Sequence, residues 1–296
     1  MSTGSSRVSL FYGLKGEWLI VLASLIWGVA FYFQKTAMES IGPLLFIGLR
    51  GLVAAVALLP FALSEQNSSE NASTGIVPIA CFAGVVFFLA GTMQQIGLVT
   101  ATVTNTGFLT AIYVVATPLL YWVIKRRAPS RITGFSVILA FVGVWALSGG
   151  SISGLSSGDK WVAVSSVFWA LLIITTSEAS RWSQPLTYTC IKFFIVAVLG
   201  IGTAVMLEPI NLESVLEASE SIIYVGVLSS ALTFGMMAIA LKTVSASRAS
   251  VLLTLETVFA AAAGYLLLGE RLTLQNWTGA ALIICAVLVL RIRSTD

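Results

Sequence analysis

Ala23-Ser24-Leu25-Ile26-Trp27-Gly28, early in the chain, is echoed by Ser165-Ser166-Val167-Phe168-Trp169-Ala170 in its second half. The tryptophans are about 142 residues apart, and the same offset carries Arg50 onto Lys192. Further along, Leu109, Val114, Ala116 and Tyr121 match Leu253, Val258, Ala260 and Tyr265, and Thr133-Gly134 matches Thr278-Gly279. The offset drifts by only a few residues, so the chain reads as two copies of one unit, 1–150 and 151–296.

What that unit is follows from composition. The chain has 296 residues, 57% hydrophobic and only 10% charged, with a mean hydropathy of +0.97. A soluble domain carries roughly 25% charged residues, so most of this surface must face lipid. Strand alternation and amphipathic stripes are both absent. Backbone groups in hydrocarbon must bond within their own segment, and apolar runs near 20 residues are therefore helices. The spans are read at 18–36, 43–63, 75–97, 102–124, 132–149, 160–180, 186–207, 219–241, 248–268 and 274–291. The breaks carry turn chemistry, as at Gly42-Pro43, Gln184-Pro185 and Glu208-Pro209. The first run continues past Trp27 to about Phe33 with no small-residue cleavage site, so it reads as a retained helix and not a signal peptide.

Lysine and arginine set the orientation. With the N-terminus inside, eleven of the 16 fall on the inner side, among them Lys125, Arg126, Arg127 and Arg131. Only Lys35, Lys160 and Arg271 fall outside, and Arg50 and Lys192 lie within helices. Both termini are then cytoplasmic, in the cell (inner) membrane, and the sequons at Asn67 and Asn71 are accidental. Five spans per half is an odd number, so the second half enters the bilayer from the opposite side. The expected fold class is an all-α integral membrane protein, ten helices in two five-helix inverted-topology repeats around a central cavity. Secondary transporters use this symmetry to expose a midplane site alternately to each side.

Candidate side chains are those that lipid would not choose. Trp27 and Trp169 hold equivalent mid-helix places and offer flat faces to a solute, or else to a packed helix contact. Trp18, Trp122, Trp161, Trp182 and Trp277 lie near helix ends and read as interface anchors. Glu256 is the one acid well inside a span, where an ionisable group is costly and usually functional. It would meet a substrate amine, carry a coupling proton, or bond a neighbouring helix. Gln94, Gln95, Asn105, Tyr113, Ser230 and Thr233 supply neutral hydrogen-bonding groups suited to a neutral or zwitterionic solute, or to interhelical bonds. Arg50 and Lys192 read as structural ion pairs, Arg50 with Glu39 and Lys192 with Glu178 across the sixth-to-seventh turn, or else as substrate contacts. There is no histidine, and Cys81, Cys190 and Cys285 have no ligand spacing, so no metal or cofactor is expected.

Gly97-Leu98, Thr100-Ala101, Asn105, Gly107-Phe108-Leu109-Thr110, Tyr113-Val114-Val115 and Pro118 resemble the third-to-fourth helix region of the drug/metabolite transporter superfamily, EamA type. So do Ser245-Ala246-Ser247, Glu256, Val258-Phe259-Ala260-Ala261 and Leu266-Leu267-Leu268-Gly269-Glu270, together with Trp27-Gly28. The resemblance covers essentially the whole chain. It implies cytoplasmic termini, a cavity walled by helices 1, 3, 4, 6, 8 and 9, and export or uptake of small metabolites. By overall look it is similar to the YddG-like amino-acid exporters of aromatic and other neutral amino acids. One departure is Thr257, where the family usually has proline, so the ninth helix is expected to break less there.

The expected activity is secondary transport of a small metabolite, with the lipid bilayer as surroundings and no nucleic-acid partner. An organic-phosphate or nucleotide-sugar carrier of the same fold is the alternative, but it needs several cavity cations. An intramembrane enzyme needs a nucleophile with its base, or a metal cluster, and the sequence offers neither. A receptor or structural protein would present an extramembrane surface that these spans do not leave.

Overall fold

Helices meet the demand that lipid places on the backbone, and no strand occurs among the described residues. A computed structural model describes residues 3–68, 75–126, 128–147, 156–267, 269 and 271–292, with side chains described from Lys15 onward, 67, 68, 291 and 292 excepted. The sequon at Asn71, Arg127, Leu268, Glu270, Arg293 and much of the loops expected at 64–74 and 149–158 lie outside the described residues. The first half comprises α1 (Thr3–Ala37), α2 (Pro43–Ser68), α3 (Ile76–Thr100), α4 (Val103–Thr110), α5 (Tyr113–Lys125) and α6 (Arg131–Leu147). The second comprises α7 (Ser157–Ala179), α8 (Pro185–Leu207), two short helices α9 (Leu212–Glu217) and α10 (Ser219–Ile223), a π-helical segment Tyr224–Leu232, then α11 (Thr233–Ala240), α12 (Ala246–Leu253), α13 (Leu255–Leu267) and α14 (Leu274–Ile292).

Counted by continuous apolar length, 8 helices among the described residues are long enough to cross a membrane, with α4–α5, α10–α11 through the π segment, and α12–α13 each counting as one. Two further apolar stretches, Arg131–Leu147 and Leu274–Leu290, are shorter. At 1.5 Å per residue such a stretch spans about 26 Å, just under the roughly 30 Å hydrocarbon core. The outer faces carry Leu22, Val56, Phe82, Phe135, Ile138 and Phe194, all exposed, as a lipid-facing surface requires. Trp122, Trp161 and Trp277 are exposed near helix ends, and Trp18 is exposed inside α1, near the start of its apolar span at Lys15. Trp182 instead lies under the Arg181 guanidinium, 4.5 Å from its ring.

The two halves interlock by a reciprocal device. Pro43 and Pro185 each open a helix where a missing N–H costs nothing. The Glu208 carboxylate, just past the end of α8, accepts from Leu44 N (2.9 Å) and Leu45 N (2.8 Å) at the start of α2. The Glu65 carboxylate, in the last turns of α2, accepts from Leu186 N (3.3 Å) and Thr187 N (2.7 Å) at the start of α8. Each helix end thus caps the beginning of the other, where orphan amides and the macrodipole favour an anion. Glu65 and Glu208 are repeat-equivalent, so α2 and its own counterpart α8 run antiparallel about a pseudo-two-fold axis. Near the start of α2 they touch so closely that a Cβ on Gly200 would lie 2.5 Å from the Gly48 backbone, and one on Gly48 2.5 Å from Ile201 N and 2.8 Å from Gly200 C. α6 and α14, also counterparts, pair at the far edge, with Gly143 against Gly279. α3 of the first half packs on α7 of the second, and their counterparts, the α10–α11 segment of the second half and α1 of the first, pack on each other in the same way.

Three long helices depart from the continuous spans expected. α4 gives way to α5 at Ala111–Ile112, and α12 to α13 at Thr254, nearly equivalent places in the two halves. The second break forms without proline. Thr254 Oγ1 donates to Val251 O and Thr257 Oγ1 to Thr254 O, so the side chains take up carbonyls that a regular helix would have used. The ninth helix thus breaks at Thr254, three residues before Thr257. The third departure is the π-helical segment, whose widened turn presents extra backbone groups sideways.

Candidate functional site

Where these irregular segments face one another, α1, α2, α3, the α4–α5 break, α7, the π segment with α11, and the α12–α13 break enclose a cavity. It encloses about 530 Å³ of space between atoms, a figure that includes space open to the surroundings. Both halves contribute, and both equivalent tryptophans, Trp27 and Trp169, line it.

Its wall is aromatic. Trp27 lies 4.7 Å from Phe234 between ring centroids, and Trp169 stacks on Phe234 at 6.2 Å. Phe87, behind them, meets Trp169 edge-on at 5.2 Å and Phe234 at 5.1 Å. The Trp27 indole donates to Ser229 O (2.8 Å), a carbonyl of the π segment that also accepts from Thr233 Oγ1 (2.6 Å). The indole nitrogen of Trp169 is buried and has no hydrogen-bond partner among the described residues.

Two polar poles interrupt this wall. At one, Tyr113 Oη donates to Glu256 Oε1 (3.0 Å), bridging the two helix breaks. Glu256 and Tyr113 are both buried, and Gly28 of α1 packs against the Glu256 backbone. At the other, Arg50 is 3% exposed. Its Nε donates to Ser230 Oγ (3.0 Å) and its Nη1 to Gln34 Oε1 (3.4 Å). Gln34 is six residues beyond Gly28 on α1, so the poles lie about 9 Å apart along that helix. Gln94 Nε2 donates to Thr110 Oγ1 (2.8 Å) on the cavity edge.

Of the residues singled out by sequence, Trp27, Gln94, Tyr113, Trp169 and Glu256 line the cavity. Gln95, Asn105, Ser230 and Thr233 are not among its lining. Gln95 is fully buried, its Nε2 directed at Met38 Sδ (3.6 Å). Asn105 sits in the first turn of α4, its backbone N bonded to the Thr102 cap. Ser230 and Thr233 stand one step back, holding Arg50 and the Ser229 carbonyl. Sequence reading passed over Gln34, Thr110 and Phe234, which line the cavity. Their signal was weak, since Gln34 adjoins Lys35 at a helix end and Phe234 is one of 16 phenylalanines.

The two expected ion pairs do not form. Glu178 turns to the membrane edge, where it pairs with Lys125 Nζ (2.7 Å) and Arg181 Nη2 (3.2 Å). Lys192 faces the opposite way, into the protein centre, with Phe234 4.2 Å and Phe193 4.8 Å from its ammonium. Glu39 is exposed in the turn after α1 while Arg50 points inward, so the pair expected from their spacing is replaced by the bonds to Ser230 and Gln34. Opposite charges close in sequence were separated by the faces of their helices.

Comparison with known proteins places this geometry. A solved crystal structure with 14% sequence identity superposes with a TM-score of 0.69, covering 92% of this chain and 99% of that one, a likeness of fold alone. An uncharacterized transporter of Archaeoglobus fulgidus is 30% identical over 98% of this chain and 89% of its own length. An S-adenosylmethionine/S-adenosylhomocysteine transporter of Chlamydia trachomatis serovar L2 is 24% identical, over 85% of this chain and 81% of its own. The EamA-like transporter family model matches twice, over residues 14–149 and 156–292, once on each half of the repeat. A multi-pass membrane protein built on this repeat, the chain belongs to the EamA-like transporter family.

Proposed function

We propose that this transporter carries small zwitterionic metabolites, most simply neutral amino acids with apolar or aromatic side chains, and that it exports them by alternating access. The observation that carries the reading is the cavity at the seam of the two halves, walled by Trp27, Trp169 and Phe234 and supplied with hydrogen-bonding groups. Aromatic faces receive an apolar side chain. Tyr113, Glu256, Gln94 and Arg50 can meet a charged or polar backbone. The antiparallel pairing of equivalent helices supports two units, 1–150 and 151–296, that rock against each other about this cavity. With the two shorter apolar stretches taken as crossings, ten spans put both termini on the cytoplasmic side of the inner membrane.

A second reading is favoured by one comparison. The chlamydial relative is named for S-adenosylmethionine and S-adenosylhomocysteine, and an aromatic wall also attracts a sulfonium cation. The phosphate-carrier alternative finds less support, because among the described residues Arg50 is the one cation that lines the cavity. Counterflow in proteoliposomes decides among them, with labelled threonine, methionine and phenylalanine against a panel of amino acids, S-adenosylmethionine, S-adenosylhomocysteine and sugar phosphates. Exchange of neutral amino acids that falls in Trp27→Ala and Trp169→Ala is expected. Exchange of none of the amino acids by folded protein would overturn the reading.

A further inference from the structure

We infer that Arg50 is the receptor for a carboxylate on the transported solute, so that the solute lies with its carboxylate toward α2 and its cationic end toward Glu256 and Tyr113. The inference rests on the transport reading above and gives it a polarity. Arg50 lines the cavity and is buried. Among the described residues no carboxylate pairs with it, since Glu178 is held by Lys125 and Arg181, and Glu17 by Arg248. Its recorded bonds use Nε and Nη1 only, on two neutral oxygens, the second at the long distance of 3.4 Å. A buried guanidinium left without an anion is costly, and its planar fork matches a carboxylate.

The surroundings agree. Phe87 supports the guanidinium from behind, 5.5 Å from ring centroid to Cζ, and the same Phe87 meets Trp169. The Trp169 indole nitrogen is a second buried donor on the cavity wall without a partner. Ser230 and Gln34 hold Arg50 in place without neutralising it. The remaining acid of the cavity, Glu256, has Tyr113 as its hydrogen-bond partner and stands at the other pole.

Binding is tested apart from transport. Isothermal titration calorimetry of purified protein in detergent would compare 3-phenylpropionate with 3-phenylpropionamide, identical but for the charge. Wild type is expected to bind the carboxylate about tenfold or more tightly than the amide. Arg50→Gln is expected to abolish that preference. Gln34→Glu, nearly isosteric, places a carboxylate beside the guanidinium and is expected to erase the preference while leaving the melting temperature at or above wild type. Equal binding of the two ligands by wild type, or a preference undiminished in a folded Gln34→Glu protein, would overturn the inference. Carboxylate preference in a protein that exchanges no solute would keep Arg50's role and sink the transport reading.

Discussion

Lys192 is the residue whose place the linear spacing hid most completely. It is fully buried, hydrogen-bonded to nothing, and lies over the rings of Phe234, Phe193 and Tyr188. Desolvated cation–π contact is worth about 2 kcal/mol, while burying an ion without a counter-charge costs several kcal/mol. Lys192→Met is therefore expected to stabilise the fold by about 1–4 kcal/mol, seen as a higher thermal midpoint in detergent. A lower midpoint would mean that the rings hold the amine better than they hold hydrocarbon. At Glu256 the sign is opposite. Tyr113→Phe removes the recorded partner of a buried carboxyl and should cost about 1–3 kcal/mol. Glu256→Gln keeps an acceptor for the Tyr113 hydroxyl and should melt close to wild type, leaving any loss of counterflow to be read as a loss of chemistry. The tryptophan pair and Glu256 were legible as residues out of place in lipid; Arg50 and Lys192 were legible as unusual, but their partners were not. Which face of a helix a cation takes depends on neighbours far away in sequence.

Among the elements, the caps exchanged by α2 and α8 make a prediction that single-residue reasoning does not. Glu65→Ala and Glu208→Ala each remove a carboxylate from two helix N-terminal amides, and each is expected to cost about 0.5–2 kcal/mol. The sites stand at opposite ends of one long helix pair, so the double change should be additive within about 0.5 kcal/mol. Equal losses would report the two-fold relation directly in thermal melting, and a loss confined to one site would contradict it. Close to the Glu208 cap, Gly200→Leu would drive a side chain into Gly48 and the start of α2, and expression of folded protein is expected to fail. Apolar length alone located most of these helices to within a few residues. It did not show the α4–α5 and α12–α13 breaks or the π-helical segment, because each depends on local hydrogen bonds at Ala111–Ile112, Thr254 and Tyr224–Leu232 that leave hydropathy unchanged.

For the molecule as a whole, the alternating access proposed above requires two states, related by exchanging the conformations of the halves. Ile173, on the cavity wall, offers a probe. In a background without Cys81, Cys190 and Cys285, Ile173→Cys should react with a membrane-impermeant thiol reagent at a rate that saturating solute changes. A rate indifferent to every solute that the protein exchanges would rule out alternating exposure of this cavity.

The sequence by itself determined that the chain lives in lipid, that it is helical, and that it repeats. Those properties follow from an excess of apolar residues, from backbone groups that lipid cannot bond, and from the echo of Trp27 in Trp169. Only the tertiary structure decided which polar groups meet. Tyr113 finds Glu256 across 143 residues, Arg50 finds Ser230 across 180, and Glu178 finds Lys125 instead of Lys192. In a low-dielectric interior a polar side chain takes the partner that helix packing brings to it, and packing here is set by small residues and caps spread over the whole length of the chain.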